Sequence, residues 1–410
     1  MTPDIKPRLI FANRFYAPDH SATAQMLTDV AEGLAAKDWD VTILTSRLSY
    51  DDPAASYVPE EDREGVRVLR VATTGFGRSN LIGRAFDYLS FYASSFFRLL
   101  RIARKGDIVI IKTDPPLLSV PLGFAARLKG AKRVNWLQDI FPETAAELGL
   151  TIARGPVGKL LAGIRNHSLR RADLNVVIGP RMGERVKGFG VDPARIMEIQ
   201  NFCDDEAIRP IAREDNPLRA AWGYTDKDFV VGYSGNLGRA HDLGTFLGAA
   251  ELLKDQPDIK FLFIGGGHLR RQLEEEAARR NLTSIHTRPY QPREQLALSL
   301  SVPDIHWVSL QPRLEGLILP SKLYGIAAAG RPLLMIGDPD GDIGRWVEEF
   351  QFGKVVNIGD TETLAASILS LSSDARLLLQ AGRNARSFLG DRRGRIQIIG
   401  LWQSAFSRTA

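Results

Sequence analysis

The segment Glu315-Gly-Leu-Ile-Leu-Pro-Ser321-Lys322 concentrates the chemistry of the chain. A glutamate there can accept hydrogen bonds from substrate hydroxyls. Ser321 and nearby backbone N–H groups can hold phosphate oxygens, and Lys322 supplies a point charge that stabilises a departing diphosphate. Read blandly, the same residues are a capping serine and a surface lysine. A second motif, Gly235-Asn236-Leu237-Gly238-Arg239, follows the apolar run FVVGY, and Asp242 can open a helix. Two glycines after a strand let the backbone approach a phosphate, and a helix start offers free N–H groups. Arg239 and His241 stand where a cation could neutralise a diphosphate. Gly265-Gly266-Gly267 repeats the device one unit later. Without GxGxxG and a following acid, these glycines do not read as a dinucleotide site.

The first half carries its own group. Asp139 and Glu143 fall at or just past the end of the strand that precedes them in NWLQDIFPE. A carboxylate there can orient an acceptor hydroxyl or take its proton, or it can merely cap a helix. The loop FYAPDHS adds Asp19 and His20 on the acceptor side. No metal-ligand cluster such as HExxH occurs, and the one cysteine, Cys203, excludes a disulfide framework and a multi-thiolate zinc site.

These loops need strands before them and helices after them. Short β-branched runs at Arg8–Asn13, Val41–Thr45, Val66–Val71, Asp107–Lys112, Arg133–Leu137 and Asp173–Ile178 alternate with helical spacing such as Ala22–Lys37. A second series runs through Phe229–Tyr233, Lys260–Ile264, Ile305–Ser309, Pro332–Ile336 and Lys354–Asn357. The expectation is an α/β chain of two Rossmann-like, doubly wound domains facing across a cleft. They are placed at residues 1–200 and 201–385, with a polar linker within 198–225. Residues 386–410 form a helix returning to the first domain.

The 410 residues, 44% hydrophobic and 25% charged, exclude a mainly disordered chain. No apolar run is long enough for a membrane-spanning helix, and no secretory leader is evident, so a cytoplasmic chain is expected. The net charge of +5 is uneven. Residues 1–190 hold 27 Lys and Arg against 20 Asp and Glu, a net of +7, and the remainder nets −2. Either the first half faces something anionic or the surface varies at random. No nucleic-acid motif accompanies the charge.

In order and spacing, these motifs resemble the family 4 glycosyltransferases of GT-B fold, in the WcaI/WbuB-like branch of polysaccharide transferases. The likeness rests on FYAPDHSATAQMLTDVAEGLAAKDWDVTILTS, NWLQDIFPE, VGYSGNLGRAHDL, FLFIGGGHLRRQLE and EGLILPSKLYGIAAAGRPLLMIGDPDGDIGR. It implies a UDP- or GDP-linked nucleotide-sugar donor held by the second domain, retention of configuration, and no metal. It assigns catalytic roles to Asp139, Lys322, Arg239 and Glu315. Gly235, Asn236, Gly238, His241, Gly265, Gly266, Tyr290 and Ser321 go to the donor, and Asp19, His20 and Glu143 to the acceptor. The family's usual cations fall at Asn236 and His241 here, and its second glutamate at Gly325, for which Asp342 is a substitute.

The implied acceptor is a lipid-linked glycan in bacterial cell-surface or exopolysaccharide assembly. Residues 81–105 combine aromatics with five cations and read either as an amphipathic helix on an anionic membrane or as a core helix with solvated arginines. Two other functions stay open: a nucleotide-sugar 2-epimerase of the same fold, and a non-catalytic nucleotide-sugar-binding component of an assembly complex.

Overall fold

The computed structural model describes residues 7–409 except 20, 51, 53, 54 and 78–80. The chain divides into two compact units: Met1–Gln200 with Ile396–Ala410, and Asn201–Arg395. The second boundary lies later than residue 386: the second unit runs to Arg395 and takes in the helical run Ala375–Arg393, which is kinked at Gly390.

In the first unit the strands are β1 (Leu9–Ala12), β2 (Val41–Ser46), β3 (Glu60–Arg63), β4 (Val66–Val71), β5 (Ile108–Lys112), β6 (Lys132–Trp136), β7 (Leu174–Val177) and β8 (Ile196–Glu198). They form one sheet in the order β3-β4-β2-β1-β5-β6-β7-β8, parallel except for β3 against β4. Every residue of β1, β2, β5 and β7 is buried, as expected of parallel strands covered by helices on both faces. The polar run EEDR of β3 carries no apolar alternation, so composition hides it. It adds as an exposed antiparallel edge. The helices are α1 (Ala22–Ala35), α2 (Leu81–Ile102), α3 (Ser119–Leu128), α4 (Glu143–Glu147), α5 (Gly155–Arg171) and α6 (Pro180–Gly188). Ser21 caps α1 by accepting from Ala24 N, and Leu27, Val30 and Leu34 point into the core.

The second unit contains α7 (Pro217–Ala221), β9 (Phe229–Asn236), α8 (Gly244–Leu252), β10 (Ile259–Gly266), α9 (Arg270–Arg279), β11 (Ile285–Arg288), α10 (Leu296–Ser301) and β12 (Ile305–Ser309). It continues with α11 (Lys322–Ala328), β13 (Leu333–Ile336), α12 (Asp342–Phe350), β14 (Gly353–Val356), α13 (Thr361–Ser373) and α14 (Ala375–Arg393). Its sheet runs β11-β10-β9-β12-β13-β14, all parallel. The rings of Tyr233, Phe246, Phe263 and Trp307 pack in its core, Tyr233 stacked on Phe263 and Phe246 on Trp307.

The last helix, α15 (Arg395–Thr409), packs in the first unit. Trp402 lies 4.7 Å from the Trp136 ring, and Phe406 lies 6.3 Å from Phe11.

Both sheets reverse strand order beside their first strand, between β1 and β5 and between β9 and β12. Ligands of open α/β sheets bind outside the carboxyl ends at such switch points. The motifs after β9 and β12 flank one of them; Lys112 closes β5 at the other.

Candidate active site

In the second unit, β9 and β10 run farther than their apolar cores suggest. They carry Gly235-Asn236 and Gly265-Gly266 in register, Gly265 opposite Gly235 and Gly266 opposite Asn236. Gly265 and Gly266 therefore belong to the end of the strand itself rather than to a loop that follows it. Their smallness has a local cause. A Cβ on Gly265 would sit 2.4 Å from the Gly235 carbonyl oxygen, and one on Gly266 would sit 3.1 Å from the Tyr290 ring. Tyr290 thus lies over a glycine floor with 59% of its surface exposed. Gly235, at φ +121°, leaves room for Lys322, whose Cε would be 2.9 Å from an added Cβ.

Lys322 opens α11 and reaches back to the end of β9. Its Nζ lies 3.3 Å from His241 Nε2 and 5.3 Å from the centre of the Tyr233 ring. The other imidazole nitrogen, Nδ1, is 2.6 Å from the Ser309 carbonyl oxygen. Burial, reinforced by the Lys322 charge, pushes the His241 pKa down to about 3. A neutral ring with Nδ1–H donating to Ser309 leaves the Nε2 lone pair to accept from the lysine. His241 was expected to offer a diphosphate a positive charge; enclosure removes that charge and makes it the acceptor that holds Lys322. Burial also pushes Lys322 down to about 8. An ammonium has three donors, and among the described residues only His241 takes one.

The other donor-side residues divide. Arg239 and Asn236 are exposed at the mouth of the loop, and Gly238 accepts from His241 N through its carbonyl. The Ser321 hydroxyl does not cap α11. Glu315 is buried, and its Oε2 accepts from Asp342 N at 3.4 Å. A Cβ on Gly341 would meet Glu315 Oε1 at 2.4 Å. Glu315 and Asp342, singled out separately in the sequence, are therefore neighbours, with the glutamate set against the start of α12. Gly325 faces Leu300 inside α11 and offers no polar group.

In the first unit, Asp139 lines a pocket at the carboxyl end of the sheet with Lys112, Thr113, Asn135 and Arg165. Its Oδ1 is buried with no hydrogen-bond partner among the described residues. Burial raises its pKa to about 6, opposed by the Thr113 hydroxyl and reinforced by Asp114. A carboxylate in this state can accept a hydrogen bond or a proton near neutral pH.

Two of its expected companions are committed elsewhere. Glu143 Oε1 takes a 2.6 Å ion pair from Arg165, whose guanidinium also covers the Phe189 ring. Asp19 Oδ1 accepts from Tyr50 N at 2.8 Å and Tyr57 Oη at 3.0 Å, so it pins the 49–57 loop. Both acids thus already hold protein donors on one carboxylate oxygen. His20 lies outside the described residues. The sequence reading overlooked Lys112, buried to 1% exposure, whose Nζ donates to Thr23 O at 2.9 Å and lies 3.8 Å from the centre of the Trp136 ring. A cation ending the apolar run IVIIK was the available signal.

The Glycosyl transferase 4-like domain family matches residues 21–201, and the Glycosyl transferases group 1 family matches residues 214–388. The chain is 29% identical to a Pseudomonas aeruginosa protein named as glycosyltransferase WbjE, over 62% of this chain and 64% of that one, short of two thirds of its length. It is 26% identical to a protein of Escherichia coli (strain K12) named as a colanic acid biosynthesis glycosyl transferase, WcaI, over 82% of this chain and 84% of that one. Among solved structures, Anabaena HepE in complex with UDP-glucose superposes with a TM-score of 0.73 at 14% identity, covering 98% of this chain and 99% of HepE. The chain belongs to the glycosyltransferase family these matches describe, and its fold is GT-B.

Proposed function

We propose that this glycosyltransferase family member moves a sugar from a UDP- or GDP-linked donor to a hydroxyl of a lipid-linked glycan, in assembly of a bacterial surface polysaccharide. The observation that carries the reading is Lys322, held by neutral His241 at the end of β9 with donors to spare. That is the arrangement a leaving diphosphate needs. The names of WcaI and WbjE and the UDP-glucose in HepE support the donor class and the pathway type.

The proposed chemistry is front-face substitution with retention. The acceptor oxygen bonds to the anomeric carbon as the bond from that carbon to the β-phosphate oxygen breaks. The electron pair goes to the diphosphate, and the hydroxyl proton passes to that same departing oxygen. Lys322 and the exposed Arg239 stabilise the charge. Ionised Asp139 accepts a hydrogen bond from the acceptor hydroxyl and orients it. Tyr290, with its exposed ring over the glycine floor, flanks the nucleotide.

The test supplies radiolabelled UDP- and GDP-sugars with and without extracted lipid-linked glycans. Label in the organic phase, with one nucleoside diphosphate released per transfer, is the expected result. Epimerisation of the sugar without any acceptor would replace transfer with the 2-epimerase reading. Nucleotide-sugar binding without turnover on any lipid glycan would leave a binding component.

A further inference from the structure

The excess positive charge of the first half has an address. α3 packs between α2 and α5, so the three helices form one layer over the first sheet. Together they hold eight Lys and Arg and one acid, Asp87. Asp87 is fully buried and occupied by Thr74, by the backbone N–H groups of Phe76 and Gly77, and by Arg14. The outer side of the layer therefore shows no carboxylate of its own. Arg165 is spent on Glu143, and Arg98 on Glu60 of the neighbouring edge strand. Two of the others, Arg101 and Arg127, lie where the C-terminal ends of α2 and α3 meet, at Gly106 and Gly130, and Arg104 and Lys105 just past α2 join them. Arg101, Arg104, Lys105 and Arg127 are exposed there.

The same layer is apolar where it should be wet. Ile82, Phe86, Leu89 and Phe97 repeat at the spacing of helical turns along α2, each more than half exposed. Phe124 and Leu128 continue the surface on α3, and Phe96 stacks on Phe124 at 6.3 Å. A face of this breadth exceeds the scattered apolar residues normal to protein surfaces.

We infer that the outer face of α2, α3 and α5 docks on an anionic lipid bilayer. Charge complementarity selects the occupant: apolar rings enter the acyl boundary while the arginines stay at the headgroups. A second copy of the chain fits poorly. A two-fold interface sets a patch against itself, and here that opposes cations to cations with no acid between them. The inference deepens the lipid-linked acceptor reading, whose substrate lies in such a surface. It differs from the amphipathic-helix expectation for residues 81–105 by extending the surface from α2 onto α3 and α5.

The experiment sediments the full chain with vesicles of pure phosphatidylcholine and with equimolar phosphatidylcholine and phosphatidylglycerol. No donor or acceptor is present, so failure of the transfer reading leaves the result intact. Binding to the anionic vesicles only, weakening as salt rises, is expected. A triple variant Phe86→Ser, Leu89→Ser, Phe97→Ser should lose roughly tenfold or more in vesicle partitioning, with its circular dichroism melt retained. Arg101→Glu with Arg127→Glu, which alters no apolar contact, should lose binding as well. Failure of the wild type to bind anionic vesicles at low salt overturns the inference, as does binding that neither variant weakens. A stable dimer that the triple variant dissociates overturns it in favour of a second copy.

Discussion

Each unit places one lysine at the carboxyl end of its sheet beside an aromatic ring, and the two are not alike. Lys112, at the end of β5, is sealed at 1% exposure, donates to the Thr23 carbonyl and lies against Trp136. Lys322, after β12, is half-buried, leans on the side chain of His241 and lies farther from Tyr233. Burial lowers both, Lys112 to about 7 and Lys322 to about 8. A lowered pKa therefore does not separate the roles. What separates them is enclosure: Lys112 is sealed and ties a loop to a strand, whereas Lys322 is half-buried, and the proposed mechanism uses Lys322 alone.

The largest expected effect tests that difference directly. Lys322→Ala should lower kcat by about two to three orders of magnitude, in the range for removing a group that stabilises developing charge. Its melting temperature should stay near that of the wild type. Turnover within twofold of the wild type would remove Lys322 from the mechanism. The comparison also has a pH signature. Lys322 is charged below about 8, so UDP or GDP affinity should hold steady near neutrality and fall as pH rises through about 8. Calorimetry on Lys322→Arg should show no such fall, because arginine stays protonated.

Next in size is Asp139→Asn, expected to cost about tenfold to a hundredfold in kcat, the lower range of acid–base effects, with donor affinity unchanged. The Asp139 carboxyl is raised to about 6 and must be ionised to accept the acceptor hydroxyl. The wild-type rate should therefore climb as pH rises through about 6, and the variant should lose that limb. A profile unchanged in Asp139→Asn would leave the first unit without its proposed polar contact to the acceptor.

The two clusters were unequally legible in the sequence. Lys322 and the strand-end glycines stand in short, ordered motifs, and close contacts explain those glycines: the Gly235 carbonyl against Gly265, the Tyr290 ring against Gly266, and Lys322 against Gly235. The partners were not legible, because partnership is tertiary. Nothing local says that Tyr50 and Tyr57 will claim Asp19, that Arg165 will claim Glu143, or that the Ser309 carbonyl will fix the tautomer of His241. The fold was legible in its apolar strands and missed at polar ones: EEDR pairs through its backbone, which composition does not display.

His241 should show a smaller effect than either charged group. His241→Phe keeps an aromatic ring but removes the acceptor for Lys322, and a single hydrogen bond to a charged group is worth about 1.5–3 kcal/mol. Part of that is recovered by a repositioned lysine, so about a tenfold loss in kcat/KM is expected. His241→Gln can both donate to Ser309 and accept from Lys322, and it should recover most of the loss. A Gln variant no better than Phe would mean that His241 serves packing alone.

The smallest effect on turnover is expected at Lys112, and it sharpens the comparison most. Lys112→Met fills the same space without a charge. Replacing a buried charge by an apolar side chain of similar volume is often neutral or stabilising, against which the Thr23 carbonyl loses its donor. Turnover should stay within about twofold, since no acceptor or donor atom is assigned to this lysine. The stability difference should depend on pH. The lysine pKa is lower in the fold than its ordinary value of 10.5, so the unfolded chain binds more protons between about 7 and that value. The wild type is therefore gained in stability as pH rises through that window, and its penalty is full below about 7. The methionine variant lacks the penalty, so its melting temperature relative to the wild type should be highest below pH 7 and should decline toward alkaline pH. A folded Lys112→Met protein that loses turnover as Lys322→Ala does would make the two lysines functional equals and break the distinction between sealed and half-buried cations.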